Sequence, residues 1–438
     1  MSTETHKPTW VEKAPPLWTL TRFRYLGEFV GGGTPSKAKV EYWDGTIPWV
    51  SPKDMKTAVI TETEDHITDE GLNNSPCQLV PPGALLMVVR SGILRNKLPV
   101  ARNRVPVALN QDMRALIPTE RISTRFLHYF IQGCEAELLS HWCKDGSTVE
   151  SIEHDILAGT WLALPSITEQ RRIAAYLDEQ TGRVDRLMNM RRRQIALLKE
   201  QRSALIQQAV THGLNPNVPM KDSGIPWLGE IPAHWEVKRN KIIFREIDSR
   251  SVDGSEELLS VSHLTGVTPR AQKEEVNMFL AESNEGYKRV EIGDLAINTM
   301  WAWMGALGFS TYSGIVSPSY NVYRFRTEAV STYYDHLFRS PNFTKEIIRH
   351  STGVWESRLR LYPQAFFEIR SPVPPLEEQR EIVSYVEKTT GQTGRVLNSI
   401  ARQITLLNEY RSALIHECVT GQRRIGEDLT SRSYEQIR

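Results

Sequence analysis

Residues 169–211 read EQRRIAAYLDEQTGRVDRLMNMRRRQIALLKEQRSALIQQAVT, and residues 378–420 read EQREIVSYVEKTTGQTGRVLNSIARQITLLNEYRSALIHECVT. The two stretches align without a gap at a constant offset of 209 residues, from 169 and 378 to 211 and 420. The segment RSALI is identical in both, at 202–206 and 411–415. A match of this length does not arise by chance, so the chain is an internal duplication.

Both repeated stretches have the composition of a long helix, because Ala, Leu, Arg, Gln, Glu and Ile dominate them. Thr181-Gly182 and Thr390-Gly391 interrupt this pattern. In each copy eight residues follow one another at spacings of four and three, which predicts a coiled-coil seam on each helix. These residues are Val184, Met188, Arg191, Ile195, Leu198, Arg202, Leu205 and Ala209, and then Thr393, Leu397, Ile400, Ile404, Leu407, Arg411, Leu414 and Cys418.

An arginine at the same seam position of both copies needs either solvent for its guanidinium or a carboxylate partner. Glu200 and Glu409 are the nearest candidates in sequence. A second apolar line lies off the seam, and we expect a partner or the flanking modules to cover it. It consists of Leu187, Leu197, Ile206, Val396, Leu406 and Ile415. The alternative is two unrelated amphipathic helices on separate cores, but such helices have no reason to share register, seam and length.

The bulk composition predicts a multidomain globular protein, with 438 residues, 40% hydrophobic and 24% charged. Its four cysteines form no paired framework, and no apolar run has the length of a membrane span. With no signal peptide in the polar N-terminus, we expect a cytoplasmic, reduced protein. The formal net charge of +1 neither requires nor excludes nucleic acid.

The duplication extends beyond the helices, because the landmarks Trp10, Pro15 and Trp18 recur as Trp227, Pro232 and Trp235. The predicted organisation is a first module at 1–164, a helical segment at 165–215, a second module at 216–372, a helical segment at 373–425 and a polar tail at 426–438. The fold class that follows is α+β, with two mixed α/β modules separated by two long helices that form a coiled coil and related by pseudo-two-fold symmetry.

Both modules share a layout of short elements. Predicted strands include 85–90 and 115–117 in the first module, with 294–299 and 322–325 in the second. Helical spacing covers 126–142 and 333–350. Short apolar segments, 161–164 and 366–369, return the chain to each long helix.

Three motifs together resemble the specificity subunit of type I restriction-modification systems: YWDGTIPWVSPKDM at 42–55, DSGIPWLGEIPAHWEV at 222–237, and the doubled PxxxEQR starting at Pro165 and Pro374. The resemblance covers essentially the whole chain. It implies two target-recognition domains that each read one half of a bipartite double-stranded DNA target. It also implies that the two long helices form an antiparallel coiled coil, which sets the separation of these domains and docks the modification (methyltransferase) and restriction (translocase/endonuclease) subunits. Because the duplication presents two equivalent surfaces, we expect two modification subunits to bind.

Motifs for catalysis are weak. GGGTPSK at 31–37 lacks the second glycine of a phosphate-binding loop in register, and NSPC at 74–77 departs from a methyltransferase motif at two positions. Cys134, His141 and Cys143 match no zinc spacing. We therefore expect a non-catalytic chain with no cofactor and no metal.

Candidate DNA contacts are cations for phosphates and amides for base edges, on loops that enter a groove. The run 90–104, RSGILRNKLPVARNR, contains no carboxylate and is the best local basic patch, although a solvated charged face is the alternative. The uncharged stretch around 301–318 of the second module fits a core as well as a groove. The candidates are Lys37, Lys39, Lys53, Arg90, Arg95, Asn96, Lys97, Arg102, Arg104, Asn110, Gln111, Lys144, Ser147, Asn321, Arg358 and Arg360.

Two functions remain open from the sequence. One is a DNA-specificity subunit that acts only within a complex. The other is a structural scaffold whose duplicated helices simply pair, without binding DNA. Only the first predicts a bipartite sequence footprint on DNA.

Overall fold

The computed structural model describes residues 8–143, 149–272, 283–353 and 359–426. The chain divides into two compact units. Unit 1 contains residues 1–191 and 402–438, and unit 2 contains residues 192–401. Each unit therefore combines one module with a segment of both repeated stretches.

The described part of unit 1 opens with ten strands and five short α-helices. The strands are β1 (Thr19–Arg22), β2 (Gly27–Gly31), β3 (Trp43–Val50), β4 (Val59–Ile60), β5 (Asp65–Ile67), β6 (Leu85–Val88), β7 (Val100–Asn103), β8 (Ala108–Leu109), β9 (Met113–Pro118) and β10 (Trp161–Leu164). The helices are α1 (Thr9–Glu12), α2 (Asp69–Asn73), α3 (Thr124–Gly133), α4 (Glu135–Trp142) and α5 (His154–Gly159). Helix α6 (Ile167–His212) begins in unit 1 and ends in unit 2.

Unit 2 continues with twelve strands and four short α-helices among its described residues. The strands are β11 (Met220–Asp222), β12 (Glu230–Pro232), β13 (Glu236–Arg239), β14 (Phe244–Ile247), β15 (Leu259–Ser262), β16 (Gly266–Pro269), β17 (Lys288–Val290), β18 (Leu295–Asn298), β19 (Leu307–Phe309), β20 (Gly314–Val316), β21 (Tyr320–Phe325) and β22 (Arg370–Val373). The helices are α7 (Asn240–Ile243), α8 (Ser331–Phe338), α9 (Pro341–His350) and α10 (Pro363–Glu368). Helix α11 (Leu376–Val419) begins in unit 2 and ends in unit 1.

The two modules share the order of their main sheet, β2-β9-β6-β7-β4 in the first and β14-β21-β18-β19 in the second. The central strands β6 and β18 are buried along their whole length, as the apolar sequences LLMV and LAIN require. Leu85 pairs with Leu116 and Leu295 pairs with Tyr323, both antiparallel. The duplicated mixed α/β fold expected from the sequence is confirmed.

Three boundaries differ from the prediction. The helix predicted at 126–142 is two helices, α3 and α4, which meet at Cys134. The helix predicted at 333–350 breaks at Ser340, whose hydroxyl caps α9 ahead of Pro341. The return segment predicted at 366–369 lies partly in α10, and the strand that matches β10 is β22.

Neither long helix breaks at its Thr-Gly pair. Thr181 is buried, and its hydroxyl donates to the carbonyl of Leu177 at 2.7 Å, so the helix satisfies the polar side chain internally. A Cβ added to Gly182 would meet only the end of the Arg186 side chain, at 3.5 Å, so the glycine leaves open space rather than a kink.

A buried glutamine ties each long helix to its module. Gln170 accepts the backbone N–H of Ser123 at 2.8 Å and donates to the carbonyl of Pro165 at 3.0 Å. Gln379 accepts the N–H of Val330 at 2.9 Å and donates to the carbonyl of Pro374 at 2.9 Å. Ser123 and Val330 are the N-cap residues of α3 and α8, so the two glutamines bind equivalent positions of the two modules.

Within each unit the α6 and α11 segments are antiparallel. In unit 1 the core takes Ile173 and Leu177 from α6 with Leu414 and Cys418 from α11, while Asp185 pairs with Arg411 at 3.2 Å. In unit 2 it takes Ala209 and Val210 from α6 with Ile382 and Val386 from α11. Residues early in α6 therefore pack against residues late in α11, and residues late in α6 lie in one core with residues early in α11.

Each long helix ends at a glycine with positive φ against a Pro and a Trp of the adjoining linker. Gly213 (φ 75°) lies beside Pro232 and Trp235 in unit 2. Gly421 (φ 76°) lies beside Pro15 and Trp18 in unit 1, where an added Cβ would come within 2.3 Å of Pro15. The end of α11 therefore meets the N-terminal segment as the end of α6 meets the central linker.

Candidate nucleic-acid interface

The loop between β6 and β7 carries much of the predicted basic patch. Residues Gly92–Arg95 form a 3₁₀ turn that the Ser91 hydroxyl caps. A run with Ser, Gly and Asn interspersed favours such a turn over a longer helix. Arg90, Arg95, Asn96 and Lys97 are all exposed on it. We call residues 89–99 the first loop.

The first loop lies against the segment that precedes α5. The N–H of Ile152 donates to the carbonyl of Val89 at 2.8 Å, and the N–H of Ser91 donates to the carbonyl of Glu150 at 3.0 Å. Glu150 and Ile152, which follow the candidates Lys144 and Ser147 in sequence, therefore lie against the first loop although they are distant from it along the chain. Lys144 and Ser147 themselves lie outside the described residues.

The folded patch does contain a carboxylate, contrary to the local sequence. Glu150 forms an ion pair with the Arg95 guanidinium. This hydrogen bond raises the pKa of Arg95 and lowers that of Glu150. Arg95 is thus partly neutralised, and no local pattern signals this because the two residues are 55 positions apart.

The remaining arginines of the basic run differ in their exposure to solvent. Arg104 is exposed, but Arg102 lies within β7 and is partly buried. Burial lowers the pKa of Arg102, with a smaller contribution from Arg125, and its Nε has no hydrogen-bond partner among the described residues. Lys97 instead faces a cleft of about 570 Å³ that Lys56 and Arg411 also line. Lys56 is a cation that sequence reasoning missed, because it lies outside the basic run.

Two of the three lysines around the Tyr42 region are engaged within the module. Lys53 pairs with Asp65 at 2.9 Å and with Glu64 at 3.3 Å. Lys39 donates to the Tyr42 hydroxyl at 2.7 Å. Lys37 is exposed. Tyr42 is buried rather than part of an open aromatic loop.

The predicted amide contacts are mostly structural. The Asn110 side chain is buried and accepts the N–H of Asp112 at 2.7 Å, which closes the turn before β9. Gln111 is exposed and accepts a hydrogen bond from the Thr34 hydroxyl. Asn321 is buried in β21 and accepts from the Lys288 ammonium at 3.3 Å.

The strand register shows which residues of the two modules occupy equivalent positions. Since Leu116 matches Tyr323, Asn321 corresponds to Arg114 and not to the Asn110 turn. A residue on a central strand faces the core or a covered sheet surface, so Asn321 is not on a groove-entering loop.

The second module builds its equivalent loop from aromatic residues. We call residues 299–306 the second loop; it contains a 3₁₀ turn, Ala302–Met304, with Trp301 at the cap position that Ser91 occupies in the first loop. Trp301 is 48% exposed and stacks on Trp303, with ring centroids 6.2 Å apart. Ala302 is buried in the core, whereas Trp301 is exposed, so the uncharged stretch around 301–318 contributes residues both to the core and to the surface.

The second loop is also held by the segment before the final short helix. The N–H of Leu361 donates to the carbonyl of Thr299 at 3.2 Å, and Arg360 and Thr352 exchange two backbone hydrogen bonds of 3.0 Å. Arg360 is exposed beside the loop, while Arg358 lies outside the described residues. Both modules therefore present one backbone arrangement, a 3₁₀ loop beside a returning segment, with different side chains.

Seam residues on the long helices are more covered than their neighbours. Val184, Met188, Ile400 and Leu414 are buried. Partly buried positions are Ile195, Leu198, Leu205, Leu397, Ile404 and Leu407.

The two seam arginines differ. Arg411 is partly buried and pairs with Asp185 of the facing helix, not with Glu409 as expected. Arg202 is exposed, and the residue 209 positions after Asp185 is Gly394, so the duplication did not keep that carboxylate. The off-seam line is split as well. Leu197, Val396 and Leu406 are exposed, whereas Ile415 is in the core of unit 1.

Other chemistry is sparse in the described part of the chain. No helix there is long and apolar enough to cross a membrane. No three His, Cys, Asp or Glu side chains there are grouped as metal ligands. Burial raises the pKa of the Cys134 thiol well above its usual range, which disfavours the thiolate that metal binding or nucleophilic chemistry needs.

Comparison with known proteins gives a consistent result. The sequence model of the type I restriction modification DNA specificity domain matches residues 17–197. The specificity subunit of the EcoR124I/EcoR124II type I restriction enzyme from Escherichia coli is 41% identical over 155 residues, which are 35% of this chain and 38% of that subunit. The MjaIX specificity subunit from Methanocaldococcus jannaschii is 29% identical over 243 residues, 53% of each chain. The matches thus span about half or less of those relatives.

Solved structures share the fold at low sequence identity. A chain of a type I R-M system, studied for complex assembly and conformational transition, superposes with a TM-score of 0.66 at 15% identity, covering 94% of this chain and 99% of that one. The HsdS subunit from Thermoanaerobacter tengcongensis gives 0.52 at 16% identity, covering 97% and 100%. Residues 17–197 match the sequence model of the type I restriction modification DNA specificity domain, and the resemblance of the chain to the specificity subunits of type I restriction-modification systems is confirmed.

Proposed function

We propose that this chain is the DNA sequence-specificity subunit of a type I restriction-modification complex and acts in the cytoplasm without catalysis of its own. Each module reads one half of a bipartite double-stranded target, and the long helices set the distance between the halves. The observation that carries this proposal is the duplicated loop site, which has one backbone arrangement and two different side-chain sets.

The exposed side chains of the first and second loops differ, which supports the proposal that the two modules recognise different half-site sequences. The first loop offers Arg90, Asn96 and Lys97, suited to phosphates and base edges. The second offers an exposed tryptophan with Arg360 beside it. Two copies of a fold with unlike loops recognise unlike sequences, because specificity depends on the groups that reach the bases.

Partner docking is proposed from the helices. Leu197, Val396 and Leu406 leave apolar side chains exposed near the middle of α6 and α11, where solvation is unfavourable. We assign one modification (methyltransferase) subunit to the surface around Leu197 in unit 2 and one to the surface around Leu406 in unit 1, because the duplication places these two residues at equivalent positions. We place the restriction subunits in the same complex. The relatives are named as specificity subunits of restriction enzymes, which agrees with a role within a larger assembly.

The test uses the chain co-purified with a modification subunit. Methylated genomic DNA should reveal one bipartite motif with a fixed unread spacer. In binding assays Lys97→Ala and Arg360→Ala should each weaken binding and lower the slope of log affinity against log salt by about one. Lys13→Ala, an exposed cation outside both loops, is the matched control. A complex that forms but shows no bipartite footprint would instead favour a scaffold that does not bind DNA.

A further inference from the structure

The second loop presents a large apolar side chain to solvent at a fixed position. The N–H of Trp301 donates to the carbonyl of Asn298 at 3.0 Å, and its own carbonyl accepts from Met304 and Ala306 at 3.0 and 3.1 Å. Trp303 stacks on its ring and donates its indole N–H to the carbonyl of Met300 at 3.1 Å. Trp301 is therefore pre-organised, although nearly half of its surface faces water.

We propose that Trp301 is a specificity-determining DNA contact of the second module, packing its indole on an uncharged part of the half-site, a base or a deoxyribose, rather than on a phosphate. This inference rests on the proposed function. It adds a residue absent from the cationic and amide candidates.

Position identifies DNA as the occupant of this surface. Trp301 holds the cap position that Ser91 holds in the first loop, three residues after the end of its central strand in both modules. The first loop exposes Arg90 and Lys97 there, and the second loop has exposed Arg360 on its adjoining segment. In both modules the loop therefore has at least one exposed cation on it or beside it.

Charge indicates the kind of contact. Residues 298–320, NTMWAWMGALGFSTYSGIVSPSY, include no Asp, Glu, Lys or Arg. Side chains of this loop cannot neutralise a phosphate, so the loop can gain affinity only through apolar packing and neutral hydrogen bonds. Aromatic stacking on the bases of single-stranded nucleic acid changes affinity by roughly 5- to 160-fold per base, which sets the upper scale for a contact of this kind.

The experiment measures binding of the complex to its own methylated motif across a salt series. Trp301→Ala should weaken binding roughly tenfold by the same factor at every salt concentration, leaving the salt slope unchanged. Arg360→Ala should lower the slope by about one. Trp301→Phe should restore part of the affinity, because an aromatic face remains.

Ile292→Ala is the matched control, since Ile292 is 70% exposed at the opposite end of β18 from the second loop. In methylation sequencing, Trp301→Ala should relax the half-site read by the second module and leave the other half-site intact. Unchanged affinity and motif would overturn the proposal, and so would loss of the modification subunit from the complex, which would make Trp301 a protein contact. A wild-type complex without a bipartite motif would refute the proposed function instead.

Discussion

Lengthening the two long helices should lengthen the unread spacer of the target. The insertions in the two helices must lie opposite each other in the antiparallel pair, and the ion pair between Asp185 and Arg411 shows which residues are opposite in unit 1. Counting four residues further along α6 and four back along α11 from that pair places matched insertions after Asn189 and after Leu406, both on unit 1 segments.

The expected magnitude follows from helix geometry. Four added residues lengthen a helix by roughly 6 Å at 1.5 Å per residue, and they turn it by about 40° beyond one full turn, which the seam can absorb by a small change in supercoil. At about 3.4 Å per base pair, the spacer should grow by one or two base pairs while both half-sites stay unchanged.

The assay is the methylation motif of the modified complex, read by single-molecule sequencing. A four-residue insertion after Asn217 is the control, and it should leave the spacer unchanged because this exposed linker residue belongs to neither long helix. If an active double-insertion complex keeps the original spacer, or if its half-site sequences change, the helices do not measure the distance between half-sites.

Three further predictions concern single features. Glu150→Ala should tighten DNA binding and steepen the salt dependence, because it releases Arg95 from its ion pair, whereas a mere loss of loop structure would weaken binding. A circular permutant opened between Asn215 and Lys221, with the old ends joined, should assemble and keep its motif, because Gly421 meets Pro15 and Trp18 as Gly213 meets the central linker; failure to fold would contradict this. The buried His128 has its pKa lowered to about 4, first by burial and then by Arg102 and Arg411. The unfolded chain therefore binds a proton that the folded chain does not, so about 3 kcal/mol of stability present above pH 6.5 should be lost as the pH falls to 4, and urea titrations of His128→Gln should show a shallower loss.

Much of the fold was predictable because the signals were periodic or repeated. The offset of 209 residues identified the duplication, and the seam positions of α6 and α11 followed from spacings of three and four. The central strands β6 and β18 followed from short apolar runs after a glycine turn. The break at Ser340-Pro341 also had a local signal, a cap residue followed by proline, that the longer apolar period concealed.

The site was less predictable because its determinants are long-range. Arg95 and Glu150 become neighbours only when the segment before α5 returns to the first loop, and no local pattern encodes that approach. Asn321 suited an adenine contact by residue type, but its strand register places it in a buried sheet position. Residue type suggests which chemistry is available, whereas burial and pairing decide which groups can use it.

The features that attach the long helices to the modules match between the two units, whereas the side chains of the first and second loops differ. Gln170 and Gln379 make matching hydrogen bonds, and Gly213 and Gly421 end the long helices in matching ways, although the modules between them have diverged. Both units have kept these features, because a buried polar group such as either glutamine would be costly to leave without its hydrogen bonds. Ser91 caps its turn through one hydroxyl hydrogen bond, whereas Trp301 caps its turn with no side-chain hydrogen bond, so the same backbone turn forms with either side chain. Under the proposed function, substitutions at these two positions alter the DNA contacts of one module and leave intact the hydrogen bonds that tie α6 and α11 to the modules, so each half-site can change independently of the other.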